Sequence, residues 1–128
     1  MRLLFWNIQN GSGSRIPRIV EELSAYDPDV VAVTEYRATP GIALRVAMKE
    51  RGLPYCETPS LLANQDGIAV FSRTPIRRMS TPVPDRWLDI DLPEYGFGAS
   101  VLHIMAAGRH LSEDALLERR TRRCSPTP

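Results

Sequence analysis

Apolar and polar positions change period several times along this chain, and each change marks an element. Leu3 to Ile8 is apolar except for Asn7 and is stopped by the turn-rich run Asn10-Gly-Ser-Gly-Ser14, which predicts a first strand. Alternation puts Leu3, Phe5 and Asn7 on one face and Leu4, Trp6 and Ile8 on the other. The period then lengthens: Ile16, Ile19, Val20 and Leu23 form a helical stripe, with Ser14 as cap, Pro17 in the first turn and the helix ending near Tyr26. Asp27-Pro-Asp29 opens a short β-branched run, Val30 to Val33, which reads as a buried strand ending on Glu35. Strand, crossover helix and strand at this spacing predict a right-handed parallel βαβ unit. Parallel neighbours end at one edge of a sheet, so Asn7 and Glu35 are expected at a common crevice, where open α/β sheets bind ligands.

A second helix is predicted from Thr39 as cap and Pro40 at its first position to Gly52 just past its end, with Ile42, Val46 and Ala47 buried. After it the chain turns to strands: Leu53 to Thr58, Gly67 to Ser72, Ile76 to Ser80, Arg86 to Leu92 and Ala99 to Ala106, separated by turns containing Pro or Gly. Trp87 to Leu92 reads as a strand buried on one face, which makes Asp89 and Asp91 its solvated side rather than a paired-carboxylate site. These elements predict an α/β (α+β) fold in which a mixed sheet is joined by a second layer of strands.

At 128 residues the chain has the length of one domain with a core of its own. Its net charge of +1 advertises neither nucleic acid nor a membrane surface. The charge is unevenly placed, with five Arg against three acidic residues from Arg109 onward. Leu111 to Thr121 has few apolar anchors for a helix, so residues 109–128 are expected to form a basic, poorly ordered tail. Cys56 and Cys124 fit neither a disulfide framework nor a zinc site. The apolar run Leu3 to Trp6 is too short for a signal peptide, and no run is long enough to span a membrane, so a cytoplasmic protein is expected.

Three segments carry a resemblance. Phe5-Trp-Asn-Ile8, Asp27-Pro-Asp-Val-Val-Ala-Val-Thr-Glu35 and Asn64-Gln-Asp-Gly-Ile-Ala-Val-Phe-Ser-Arg73 follow in the order of the opening motifs of the endonuclease/exonuclease/phosphatase superfamily, and Val101-Leu-His-Ile104 resembles a fourth. The resemblance covers residues 1–108 and implies part of a four-layer sandwich of two mixed sheets flanked by helices. It also implies hydrolysis of phosphoesters with Mg²⁺ or Mn²⁺. By position it makes Glu35 a metal ligand, Asn7 a metal or phosphate contact, and His103 a catalytic group on the phosphate or leaving-group side. Mg²⁺ suits such a set, being held by hard oxygens, typically one or two carboxylates with the substrate phosphate. Asn7 alternatively satisfies only a neighbouring backbone group, His103 is alternatively a structural strand histidine, and His110 reads as a surface residue.

The later motifs of that superfamily, a Gly-Asp-x-Asn and a Ser-Asp-His segment, do not occur in this sequence. The expectation is therefore an N-terminal portion of such an enzyme, followed by a tail such as a frameshift or early stop leaves, with little or no turnover alone. The competing reading is a non-catalytic α/β module that binds a phosphorylated ligand or a protein partner. A partial sandwich leaves strand edges and apolar sheet uncovered, which predicts self-association or a partner. Whether the substrate is a nucleic acid, a phospholipid or an inositol phosphate is not written in these segments.

Overall fold

The computed structural model describes residues 1–9, 13–59, 61, 65–81, 83 and 86–104. The basic tail at 109–128, the helix expected over Leu111 to Thr121, His110 and Asn64 lie outside the described residues. Strand β1 (Leu3–Asn7) is joined through helix α1 (Ile16–Ala25) to strand β2 (Val30–Tyr36). The two strands pair in parallel with Leu3 beside Val30 and Asn7 beside Thr34, as the predicted βαβ unit requires. The α1 stripe Ile16, Ile19, Val20 and Leu23 is buried. Ser14 does not cap it: a 3₁₀ turn over Gly13–Arg15 leads into the helix, and Pro17 occupies its first turn, where no backbone donor is needed.

Helix α2 (Ala38–Glu50) departs from the expected phase. Its buried residues are Gly41, Leu44 and Met48, whereas Ile42 and Val46 are exposed. The Tyr36 ring fixes this phase by lying against Gly41, where a Cβ would stand 2.3 Å from a ring carbon. The helix therefore meets the sheet through its glycine, and Ile42 and Val46 turn outward. Gly52 follows the helix with φ +87°, the left-handed position that glycine fills without strain.

Strands β3 (Tyr55–Glu57) and β4 (Gly67–Ser72) complete a four-stranded mixed sheet in the order β1-β2-β4-β3, with β4 antiparallel to both of its neighbours. Strands β5 (Arg77–Ser80), β6 (Trp87–Leu92) and β7 (Phe97–Leu102) form a separate antiparallel sheet in that order. β7 begins two residues earlier than its sequence pattern indicates and ends at Leu102, paired with Trp87.

Two cores hold the layers. The helix-side core joins Leu23, Leu44 and Met48 to Val31, Val33 and Phe71. The core between the sheets joins Val30, Ala32, Ile68 and Val70 to Leu88, Ile90 and Leu92. The near-continuous burial of β2 and β4 follows from this placement, since each is covered on both faces. Asp89 and Asp91 occupy the less buried positions of β6: Asp89 accepts hydrogen bonds from Trp87 and Ser100, and Asp91 pairs with Arg77. No described helix is long and apolar enough to cross a membrane.

Candidate functional site

The strand faces explain how Asn7 and Glu35 come to one place. Val30 and Ala32 point into the core between the sheets, while Val31 and Val33 point toward the helices. Asn7 shares the face of Leu3 and Phe5 and stands beside Thr34, so it belongs to the intersheet side. Strict alternation would give Glu35 to the opposite face and Tyr36 to the intersheet side. Tyr36 packs instead with Val31 and Val33. The pairing with β4 steps from Thr34 opposite Ile68 to Tyr36 opposite Gly67, so Glu35 is the extra residue of a β-bulge. Its φ of +58° puts a glutamate in the left-handed region. The bulge resets the phase of β2 and releases Glu35 from the helix-side core, leaving it half-buried at the strand's end.

Strain is concentrated here. Of the three described non-glycine residues with positive φ, two lie at this edge, Gln9 at +55° and Glu35. An L-residue in this region costs roughly 1–2 kcal/mol, and such conformations cluster at ligand sites. Asn7 Oδ1 accepts the backbone N–H of Gln9 at 2.9 Å, which holds the amide at the strand end and leaves its second lone pair free. Arg15, at the start of α1, donates to Gln9 Oε1 at 3.1 Å. Beside Asn7, Thr34 is wholly buried and its Oγ1 has no hydrogen-bond partner among the described residues. An unpaired buried hydroxyl costs about 1–3 kcal/mol.

Two further charges border the edge. Arg37 follows β2, and its Nε donates to Asp66 Oδ1 at 2.6 Å from the loop that enters β4. Both side chains are roughly seven-tenths buried, at 30% and 28% exposed, which holds the pair more firmly than a surface ion pair. Sequence reading missed this pair and the roles of Gln9 and Thr34. The available signal was the strand register, because Asp66 stands one residue before Gly67, the partner of Tyr36.

Tyr36, next to Glu35, has its hydroxyl pushed up to about 12 by burial, with Cys56 adding to the rise and Arg45 opposing it. Burial likewise pushes the Cys56 thiol up to about 11, against the pull of Arg45 and with help from Glu57. Neither group is an activated nucleophile.

His103 lies on the other sheet, one residue past β7, with its backbone N–H donating to the Arg86 carbonyl at 2.8 Å. Its side chain lines a hollow with Arg86, Trp87 and Ile104. The direction of β7 fixes which end of the sandwich this is. Burial raises the Tyr95 hydroxyl, Asp29 adds to that rise and Arg73 opposes it, so the start of β7 lies near the Asp29–Arg73 end of the first sheet. β7 therefore runs toward the end that carries Asn7 and Glu35. The fold brings Asn7, Thr34 and Glu35 to one edge and His103 to the same end of the facing sheet, with no hydrogen bond joining His103 to them.

Among the described residues no three His, Cys, Asp or Glu side chains converge as a metal cluster. The donors at the edge are instead one carboxylate, one amide oxygen and one orphaned hydroxyl. All are hard oxygens, and such a sparse set fits a divalent cation that takes its remaining ligands from water and a phosphate.

The sequence model described as the Endonuclease/Exonuclease/phosphatase family matches residues 4–126. Among solved structures, an endonuclease/exonuclease/phosphatase from Beutenbergia cavernae superposes with a TM-score of 0.64 at 19% identity, covering 94% of this chain and 41% of that one. ANGEL2, a 2',3'-cyclic phosphatase in complex with adenosine-2',3'-vanadate, superposes with a TM-score of 0.57 at 17% identity, covering 81% of this chain and 41% of that one. The chain thus spans about two fifths of the length of either structure. No curated protein matches it.

Proposed function

The chain belongs to the endonuclease/exonuclease/phosphatase family, and from that premise we propose that the edge formed by Asn7, Thr34 and Glu35 binds a divalent cation, Mg²⁺ or Mn²⁺, together with the phosphate of a phosphoester. The observation that carries this reading is the conformation of Glu35, a carboxylate set at positive φ in a bulge beside Asn7 and the unpartnered Thr34 hydroxyl. Local stability alone gives no reason to keep a glutamate at such a position, whereas a ligand role does.

Glu35 would hold the cation through its carboxylate, and Asn7 through the lone pair that Gln9 leaves free or by donating its amide N–H to a phosphate oxygen. A cation bound there supplies Lewis-acid neutralisation of the charge that develops on the phosphoryl oxygens. The Arg37–Asp66 pair fixes the loop bordering the edge, and His103 would serve on the phosphate or leaving-group side. Asp66 is held by Arg37, so the described residues give Glu35 no free carboxylate neighbour to activate water. Members of a catalytic unit act together, so we assign this chain cation and phosphate binding with low turnover by itself.

Titration calorimetry with Mn²⁺ and Mg²⁺ tests the reading. Glu35→Gln preserves the size and backbone preference of the side chain and removes its charge. It should weaken cation binding by at least about tenfold, since even residues behind a ligand contribute 10–100-fold. Hydrolysis of a chromogenic phosphodiester and of plasmid DNA, with cation and with chelator, measures the turnover. Equal cation affinity in the Gln variant and the parent would remove Glu35 from the site.

A further inference from the structure

Among the described residues, the four outer strands of the two sheets differ in a way that divides the molecule into a charged and an uncharged side. β3 and β5, the outer strands on one side, carry the devices that prevent edge pairing. β3 is three residues long and contains Glu57, and β5 presents Arg77 and Arg78. Arg78 joins the two sheets there by pairing with Glu57 and by donating to the Thr58 carbonyl oxygen at 2.7 Å.

β1 and β7, on the other side, carry none of these devices. β1 reads Leu-Leu-Phe-Trp-Asn and β7 reads Phe-Gly-Ala-Ser-Val-Leu, without a charge or a proline in either. Each has a single strand neighbour among the described residues. Between them opens an apolar groove of about 300 Å³, lined from the first sheet by Leu3 and Phe5 and from the second by Phe97, Ala99 and Leu102. Phe5 is 59% exposed and Leu3 46%.

We propose that this side is the interface with a second copy of the same chain, in which β1 pairs with β1 and β7 with β7. One symmetry operation satisfies both edges. Rotation by 180° about an axis along the stacking direction keeps each sheet at its own level, turns its open edge toward the other copy and reverses its strands. Both new pairs are then antiparallel and isologous, and the two grooves merge into one intersheet core. A partner with a single edge strand would leave either β1 or β7 unpaired. This inference stands apart from the cation site and does not depend on it.

Sedimentation equilibrium of the full chain, with hydrogen exchange on the same samples, tests the proposal. The parent should have twice the chain mass, and dilution should deprotect the β1 and β7 amides together. Phe5→Lys, at a residue already exposed, should halve the mass with an unchanged circular dichroism spectrum, while Tyr55→Lys on β3 should leave the dimer intact. If Phe5→Lys does not fold, the exchange pattern of the parent decides. A monomer at high concentration overturns the proposal, including one whose β1 and β7 amides are protected by residues 105–128. A dimer with both edges unprotected also overturns it.

Discussion

Glu35 is held where a glycine would be more comfortable, and this can be measured. Glycine has no Cβ to strain at φ +58°, although it loses more chain entropy on folding. The balance predicts that Glu35→Gly stabilises the chain by up to about 1 kcal/mol, seen as a higher urea midpoint at unchanged slope. Glu35→Ala keeps a Cβ and should show no such gain. A gain in stability accompanied by loss of cation binding is the trade expected of a residue retained for its ligand. An unchanged or lower midpoint in the glycine variant would mean that the bulge is relaxed with glutamate in place. The position of Glu35 at a strand's end was legible in the sequence, and its bulge was not. A bulge depends on pairing with β4, some thirty residues away, and the local run Val-Val-Ala-Val-Thr-Glu-Tyr alternates the same way with or without it.

At the scale of elements, the sequence pattern recovers most strands and α1 because their apolar periodicity is strong. It misplaces the face of α2, where Ile42 and Val46 are more apolar than the residues that meet the sheet. There a close approach decides: the Tyr36 ring against Gly41 permits only one phase. The same packing buries two protons. The Tyr36 hydroxyl, raised from 10.0 to about 12, and the Cys56 thiol, raised from 9.0 to about 11, stay protonated in the fold over a range in which the unfolded chain releases them. Both therefore contribute stability that is complete below about pH 9. As pH rises the unfolded state binds fewer protons than the native state, so this contribution falls between about pH 9 and pH 12. Urea midpoints measured across that range should decline. Tyr36→Phe, which keeps the ring against Gly41, should flatten the upper part of the decline, and Cys56→Ala the lower part. A parent midpoint that is level through pH 11 would show that these groups open to solvent without unfolding.

For the whole molecule, the sequence predicts the layered α+β architecture, and its resemblance to the family agrees with the solved structures that share the fold. What it leaves unread is sidedness. Alternation identifies which face of a strand is buried but not which strand lies outermost, and order within a sheet is a property of long-range pairing. Once the order is known, the contrast between the charged β3 and β5 and the uncharged β1 and β7 acquires a thermodynamic consequence. If folding and pairing of two copies are one cooperative event, mass action makes the melting temperature depend on protein concentration. A tenfold increase in concentration is worth about 1.4 kcal/mol per dimer, which for a dimer of this size corresponds to a rise of roughly 3–5 °C. Scanning calorimetry of the parent over two decades of concentration should show that slope. Phe5→Lys should abolish it by placing a charge in the merged groove, whereas Met79→Lys on the already charged edge β5 should preserve it. Parallel slopes in the parent and Phe5→Lys would locate any association elsewhere on the surface. A concentration-independent transition in the parent would mean that each copy folds without its partner.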